Sequence, residues 1–147
     1  YVPEKIGIMI AYASIYGNTK KAAELLYDKL KAKNVDVIIT DLARCDMSKA
    51  ISDAFAYGKL VLATPTYNAD VFPFMRTFIE GLTERNYQKR TVAFIENGAW
   101  APMAAKVMAG MFEKSKELNI LDKTVKITCA LNDASVAQID ELAEELA

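Results

Sequence analysis

Three stretches of this chain, IGIMIAY (6–12), LVLA (60–63) and TVAFIE (91–96), are apolar at almost every position. A strand with one face in water alternates apolar and polar residues, so an unbroken apolar run requires cover on both faces. Strand-like segments read at 6–12, 35–40, 59–63, 91–96 and 124–130, and a helical pattern follows each one. Ala22, Leu26 and Leu30 share a helical face, as do Phe74, Phe78 and Leu82 with Met75 and Ile79 beside them. Ala104, Val107, Met108, Met111 and Phe112 follow the same spacing, and so more loosely do Val136, Ile139, Ala143 and Leu146. The second helix is read near 46–55, Pro102 suits the first turn of the fourth, and Ser135 with Gln138 reads as a capping box for the fifth. Strict alternation of strand and helix predicts an α/β fold: a doubly wound, five-stranded parallel sheet between two helical layers. The second and fifth strands admit Asp36, Lys126 and Thr128, which suits sheet edges. Edges there give the order 2-1-3-4-5, with ligands expected where strands 1 and 3 end.

At 147 residues the chain makes a single domain, spanning 1–147, with enough length to bury a core. A net charge of -1 leaves no electrostatic footprint for nucleic acid. No apolar run approaches the roughly 20 residues that cross a bilayer, so no membrane span is expected. Cys45 and Cys129 lack metal-ligand spacing and read as reduced packing residues of a cytoplasmic protein. The chain contains no histidine, which removes the commonest general base and transition-metal ligand. It opens at Tyr1 without methionine, which fits processing, trimming or a domain cut from a longer polypeptide.

Three loops converge on the predicted rim. The first, after strand 1, contains Ser14, Ile15, Tyr16, Gly17, Asn18 and Thr19. It enters a helix whose amino end carries about half a positive charge and unpaired N–H donors, a natural anion site. Ser14 and Thr19 add hydroxyls, and Gly17 lets the backbone close around oxygens. The chain has neither G-x-x-x-x-G-K-[ST] nor G-x-G-x-x-G, which argues against ATP hydrolysis and dinucleotide binding. An ordinary strand-to-helix turn capped by Asn18 or Thr19 is the alternative. The second loop brings Pro65, Thr66, Tyr67 and Asn68. The third brings Asn97, Gly98, Ala99 and Trp100, the one tryptophan, placed to stack on a ring. Met103, Met108 and Met111 read as core filler. Phosphate donors beside amide edges and aromatic faces suit a phosphorylated flat heterocycle, and flavin mononucleotide (FMN) fits best.

Along its whole length the chain resembles the flavodoxin-like family. Tyr12-x-Ser14-x-x-Gly17-x-Thr19 is similar to the family's FMN phosphate loop. YASIYGNT, TPTYN followed by VFP, and the late Trp100 resemble most the flavodoxin domain of flavodiiron proteins. Those proteins join a diiron domain of metallo-β-lactamase fold to a C-terminal FMN domain and reduce oxygen or nitric oxide. Their diiron ligands are mainly histidines and carboxylates of the other domain, so a chain without histidine is not that domain. The resemblance implies that Ser14, Tyr16, Gly17, Asn18 and Thr19 hold the phosphate. It places Pro65, Thr66, Tyr67 and Asn68 along the isoalloxazine, with Asn97, Gly98, Ala99 and Trp100 on its other side. The chain departs from relatives at Ala69-Asp70, where a glycine often stands, and Trp100 comes one residue late. Alanine or aspartate makes a positive φ costlier, so weak stabilisation of the one-electron-reduced flavin is expected.

The resulting expectation is an electron-transfer module, with no side-chain catalysis of its own. The resemblance implies a diiron domain as partner, rubredoxin or a flavin or NAD(P)H reductase as donor, and head-to-tail dimers. A net charge of -1 suits a tethered partner better than the strongly acidic surface of free flavodoxins. The rival readings are a free-standing flavodoxin, an NAD(P)H-dependent FMN quinone reductase, a phospho-receiver and a flavin-free interaction domain. The receiver needs an acidic pair after strand 1, where the chain has Tyr12-Ala13-Ser14.

Overall fold

A computed structural model of the chain describes residues 3–14, 17–67, 70–98, 103–128 and 131–147. In chain order the elements are β1 (Lys5–Tyr12), α1 (Asn18–Ala32), β2 (Val37–Asp41), α2 (Met47–Ala56), β3 (Tyr57–Tyr67) and β4 (Asp70–Val71). They continue with α3 (Pro73–Glu84), β5 (Thr91–Asn97), α4 (Ala104–Met111), β6 (Asn119–Ile120), β7 (Val125–Ile127) and α5 (Asp133–Leu146). The sheet runs β2-β1-β3-β5-β6, and β7 also pairs with β5. These long-strand pairings are all parallel, as the unbroken apolar runs require. β5 is the fourth long strand and β6 with β7 occupies the fifth position, so the predicted order 2-1-3-4-5 holds.

Alternation along the central strands divides the core in two. Ile8, Ile10 and Tyr12 of β1, Val61 and Ala63 of β3, and Ala93 and Ile95 of β5 pack with the α1 and α5 residues Ala22, Leu26, Leu30, Ile139 and Ala143. Met9, Ala11, Leu60, Leu62, Val92 and Phe94 point the other way, against Ala50, Ala54, Met75, Phe78, Leu82 and Met108 of α2, α3 and α4. Both faces of each central strand are therefore dry, and the three-layer sandwich follows.

Several local readings shift. β3 is longer than the apolar run at 59–63: it starts at Tyr57 directly after α2 and extends to Tyr67, where it pairs antiparallel with β4. The strand read at 124–130 is β7 at Val125–Ile127, and a short β6 at Asn119–Ile120, not read from the sequence, precedes it. On α3 the buried stripe is Met75, Phe78, Ile79 and Leu82, while Phe74 is 42% exposed and leans on Phe72. Phe74 lies in the first turn of α3, outside the stripe that faces the sheet. The capping box of α5 lies three residues earlier than Ser135 with Gln138. The Asn132 side chain accepts from Ser135 N–H at 2.9 Å, and Ser135 Oγ accepts from Asn132 N–H at 2.8 Å. Gln138 Oε1 instead accepts from Lys126 N–H at 2.8 Å and ties α5 to β7. α2 starts as read, with the Asp46 carboxylate accepting from Ser48 N–H at 3.0 Å. Pro102 and Cys129 lie outside the described residues; Cys45 is a free thiol packed beside the core.

Candidate functional site

The carboxyl ends of β1, β3 and β5 lie side by side. Tyr12 is level with Ala63, and Pro65 is level with Asn97. Ala13 N–H donates to Ala63 O at 3.0 Å just past the end of β1, and Gly98 N–H donates to Ile127 O at 3.0 Å past the end of β5. The loops after β1 and β5 are thus each clamped at their start by a backbone bond to the neighbouring strand. Beneath the rim Tyr12 is buried, and burial first, then the Asp41 and Glu24 carboxylates, pushes its phenol above the ordinary tyrosine range.

The first loop is a cradle built around α1. Ser14 Oγ accepts from Gly17 N–H at 3.1 Å and from Lys20 N–H at 3.4 Å, which folds the loop back on the helix entry. Gly17 takes the N-cap position at φ 88°, a left-handed conformation that a Cβ would strain, although no atom lies within 4 Å of where that Cβ would be. No side chain caps α1, and its first turn holds no acidic residue. Lys20 N–H is held by Ser14 Oγ, but the N–H groups of Asn18 and Thr19 have no acceptor among the described residues, and no first-turn carboxylate repels, which is what an anion requires. Asn18 is half-buried, and Thr19 is 1% exposed. This geometry favours the cradle over a plainly capped turn, since neither Asn18 nor Thr19 is the N-cap.

In the second loop Pro65 is half-buried, and the backbone of Thr66 and Tyr67 pairs with Val71 and Asp70 in a short antiparallel excursion beside the rim. Below it Thr64, fully buried, donates its hydroxyl to Pro65 O at 3.2 Å. In the third loop Asn97 and Gly98 are half-buried. Asn97 Nδ2 donates to Thr19 Oγ1 at 3.4 Å, so the structure brings the first and third loops together. Ile15, Tyr16, Asn68, Ala99 and Trp100 lie outside the described residues. Their expected roles stay with the sequence reading.

One contributor was not among the expected site residues. Glu96, 3% exposed, accepts from Ala105 N–H of α4 at 2.8 Å. It fastens the far end of the third loop from beneath. The signal was visible as an acidic residue closing the otherwise apolar run TVAFI. Among the described residues no group of histidines, cysteines and carboxylates has metal-binding geometry.

A parallel sheet whose carboxyl-end rim meets a helix amino end with no side-chain cap, beside the buried Thr19 hydroxyl, defines an α/β domain of the doubly wound class. A family profile described as Flavodoxin matches residues 10–142, and the chain belongs to the flavodoxin family. Its cofactor is accordingly FMN. The residues present fit that group: Ser14, Thr19 and the N–H groups of Asn18 and Thr19 would supply it with neutral phosphate donors.

An uncharacterized protein of Methanocaldococcus jannaschii is 30% identical over 142 residues, a match covering 95% of this chain and 36% of that protein. The chain therefore spans about a third of the length of the curated relative it matches. Rubredoxin oxygen:oxidoreductase from Desulfovibrio gigas superimposes with a TM-score of 0.90 at 18% identity, over 98% of this chain and 36% of that one. The flavodiiron protein from Giardia intestinalis gives 0.87 at 15%, over 95% and 35%. A flavodoxin from the domain Archaea gives 0.81 at 19%, over 97% and 96%. At such identities these structures speak for the fold.

Proposed function

We propose that the chain is an FMN-binding electron-transfer domain that passes electrons from a redox donor to a diiron centre, an oxygen or nitric oxide reductase site carried on a metallo-β-lactamase-like domain. The observation that carries the flavin part is the cradle of Ser14, Gly17 and Thr19 at the uncapped start of α1. FMN, when bound, supplies one- and two-electron transfer, and the protein supplies position and electrostatics. Ser14 shapes the loop, the α1 N–H groups and Thr19 grip the phosphate, and Pro65 to Asn68 with Asn97 to Trp100 border the ring, Asn97 through its backbone alone. Support for the partner is the likeness to longer proteins, a rubredoxin oxygen:oxidoreductase and a flavodiiron protein, of which this chain covers 36% and 35%. Rubredoxin or a flavin or NAD(P)H reductase is the donor in this reading, and the setting is cytoplasmic. Among the described residues no helix is long and apolar enough to cross a membrane.

The free-standing flavodoxin is the second reading, favoured by a likeness covering 96% of an archaeal flavodoxin. The test begins with the purified protein mixed with FMN and freed of excess by gel filtration. Retained bands near about 370 and 450 nm, set by the flavin itself, are the expected result. The FMN-loaded protein is then reduced without oxygen and mixed with a separately produced diiron domain. Fast flavin reoxidation that requires the iron-loaded domain supports the tethered role. Equal rates with and without iron return the chain to the free-standing class, and a colourless protein removes the flavin reading altogether.

A further inference from the structure

Asn97 was expected at the ring, yet its side chain is engaged elsewhere. Successive residues of β5 point to opposite faces, and the last two are polar: Glu96 faces α4, and Asn97 faces α1. Asn97 Nδ2 lies 3.4 Å from Thr19 Oγ1 and can only donate there. A threonine hydroxyl has one proton and two lone pairs. With one lone pair occupied by the amide, its proton is left to point away from Asn97. Thr19 is 1% exposed, and among the described residues its hydroxyl donates to nothing. A buried hydroxyl whose proton has no acceptor among the described residues, at the start of a helix where the N–H groups of Asn18 and Thr19 likewise have none, is an oriented donor awaiting an acceptor.

We propose that Asn97 is a positioning residue of the phosphate subsite: by donating to Thr19 Oγ1 it fixes the Thr19 hydroxyl as a donor to the FMN phosphate. This rests on the flavin reading above. The hydroxyl and N–H donors of the cradle are neutral, so their grip on a phosphate depends on dipoles held in the right direction. Nothing is covalently changed; Asn97 acts only through the rotor of Thr19.

The experiment compares FMN with riboflavin, which has the same ring and no phosphate, by quenching of flavin fluorescence on binding. Asn97→Ala frees the rotor, and the cost expected is that of about one hydrogen bond, a three- to tenfold loss for FMN and less than about twofold for riboflavin. Asn97→Asp cannot donate; its carboxylate accepts the Thr19 proton and adds a charge that repels phosphate, so FMN should weaken by well over about tenfold with riboflavin again little changed. In a Thr19→Val background Asn97→Ala should no longer alter the FMN-to-riboflavin ratio, whereas in Thr19→Ser, which keeps the hydroxyl, it should. Equal losses for both flavins, or a selective loss that persists in Thr19→Val, would overturn the assignment. Should Asn97→Asp fail to melt cooperatively, the alanine cycle decides alone. If the unaltered protein binds neither flavin, it is the flavin reading that falls.

Discussion

Glu96 offers the sharpest check on how the third loop is held. Its carboxylate is 3% exposed and accepts from Ala105 N–H, the second residue of α4, at 2.8 Å. α4 has no side-chain cap of its own, and no acidic residue stands in its first turn. Glu96→Gln keeps an acceptor oxygen and removes the charge. Exchanging a charge-assisted bond for a neutral one forfeits about 1 kcal/mol, and loss of the charge at the α4 amino end forfeits up to about 1 kcal/mol more. Against this, a neutral amide is cheaper to keep out of water than a carboxylate, which offsets part of the loss. The expected net change is a destabilisation of about 1 kcal/mol. Glu96→Leu removes the acceptor as well and strands Ala105 N–H in a dry site, adding about 1–3 kcal/mol. Urea unfolding followed by far-UV circular dichroism, with and without FMN, measures both through the midpoint at constant slope. A glutamine variant as stable as the parent, or more stable, would refute the argument that the charge secures α4.

Two glycines should respond differently to alanine. At Gly7 the new Cβ would lie 2.6 Å from Asp36 O and 2.9 Å from the Tyr57 ring; backbone has to move, and a loss of about 3 kcal/mol in the same urea assay is expected. At Gly17 the space is open and only φ 88° resists, so Gly17→Ala should cost about 1–2 kcal/mol, with weaker FMN binding seen by fluorescence. Tyr87 gives a pH signature. It is 1% exposed, and burial pushes its phenol well above the usual value, with the Arg90 guanidinium acting the other way. A raised folded pKa contributes stability that is complete below the unfolded value, about 10, and is lost as pH climbs past it. Tyr87→Phe should therefore cost about 1 kcal/mol at neutral pH, where the hydroxyl donates to Ala54 O at 3.3 Å, yet lose less stability than the parent above about pH 10. The residual slope belongs in part to Tyr12, raised in the same direction.

The order of the sheet was legible because burial on two faces leaves an unmistakable mark: Met9 and Ile10 are both sealed, on opposite sides. Polar residues at Asp36 and Lys126 correctly marked the flanking strands. What was illegible depends on contacts between segments distant in sequence. Nothing in LVLA indicates that β3 continues to Tyr67, because the extension is held by its pairing with β4 and with Asn97 of β5. Ser135 could be recognised as half of a capping box, but its partner proved to be Asn132, since Gln138 is drawn off by Lys126 N–H. The cradle at Ser14 and Gly17 could be read locally because its bonds are local; the link from Asn97 to Thr19 spans 78 positions and could not.

The end of β5 shows how a fold of this kind converts alternation into a site. Along 92–95 the period of two serves packing alone, sending Val92 and Phe94 to one core and Ala93 and Ile95 to the other. Continued for two residues past the dry interior, the same alternation sends a carboxylate to the amino end of α4 and an amide to the amino end of α1. One strand terminus thereby sets two helix starts that border the rim, and it does so without a flexible arm, because β5 is paired with β3 and β7 up to Asn97. A shift of one residue in β5 would turn the carboxylate to the α1 face of the sheet and the amide to the α4 face. Since the hydroxyl and N–H donors at the start of α1 are neutral, a carboxylate there would oppose the anion. The site therefore depends on the register of a central strand, and the apolar run that dictates the sheet also dictates which group faces the phosphate.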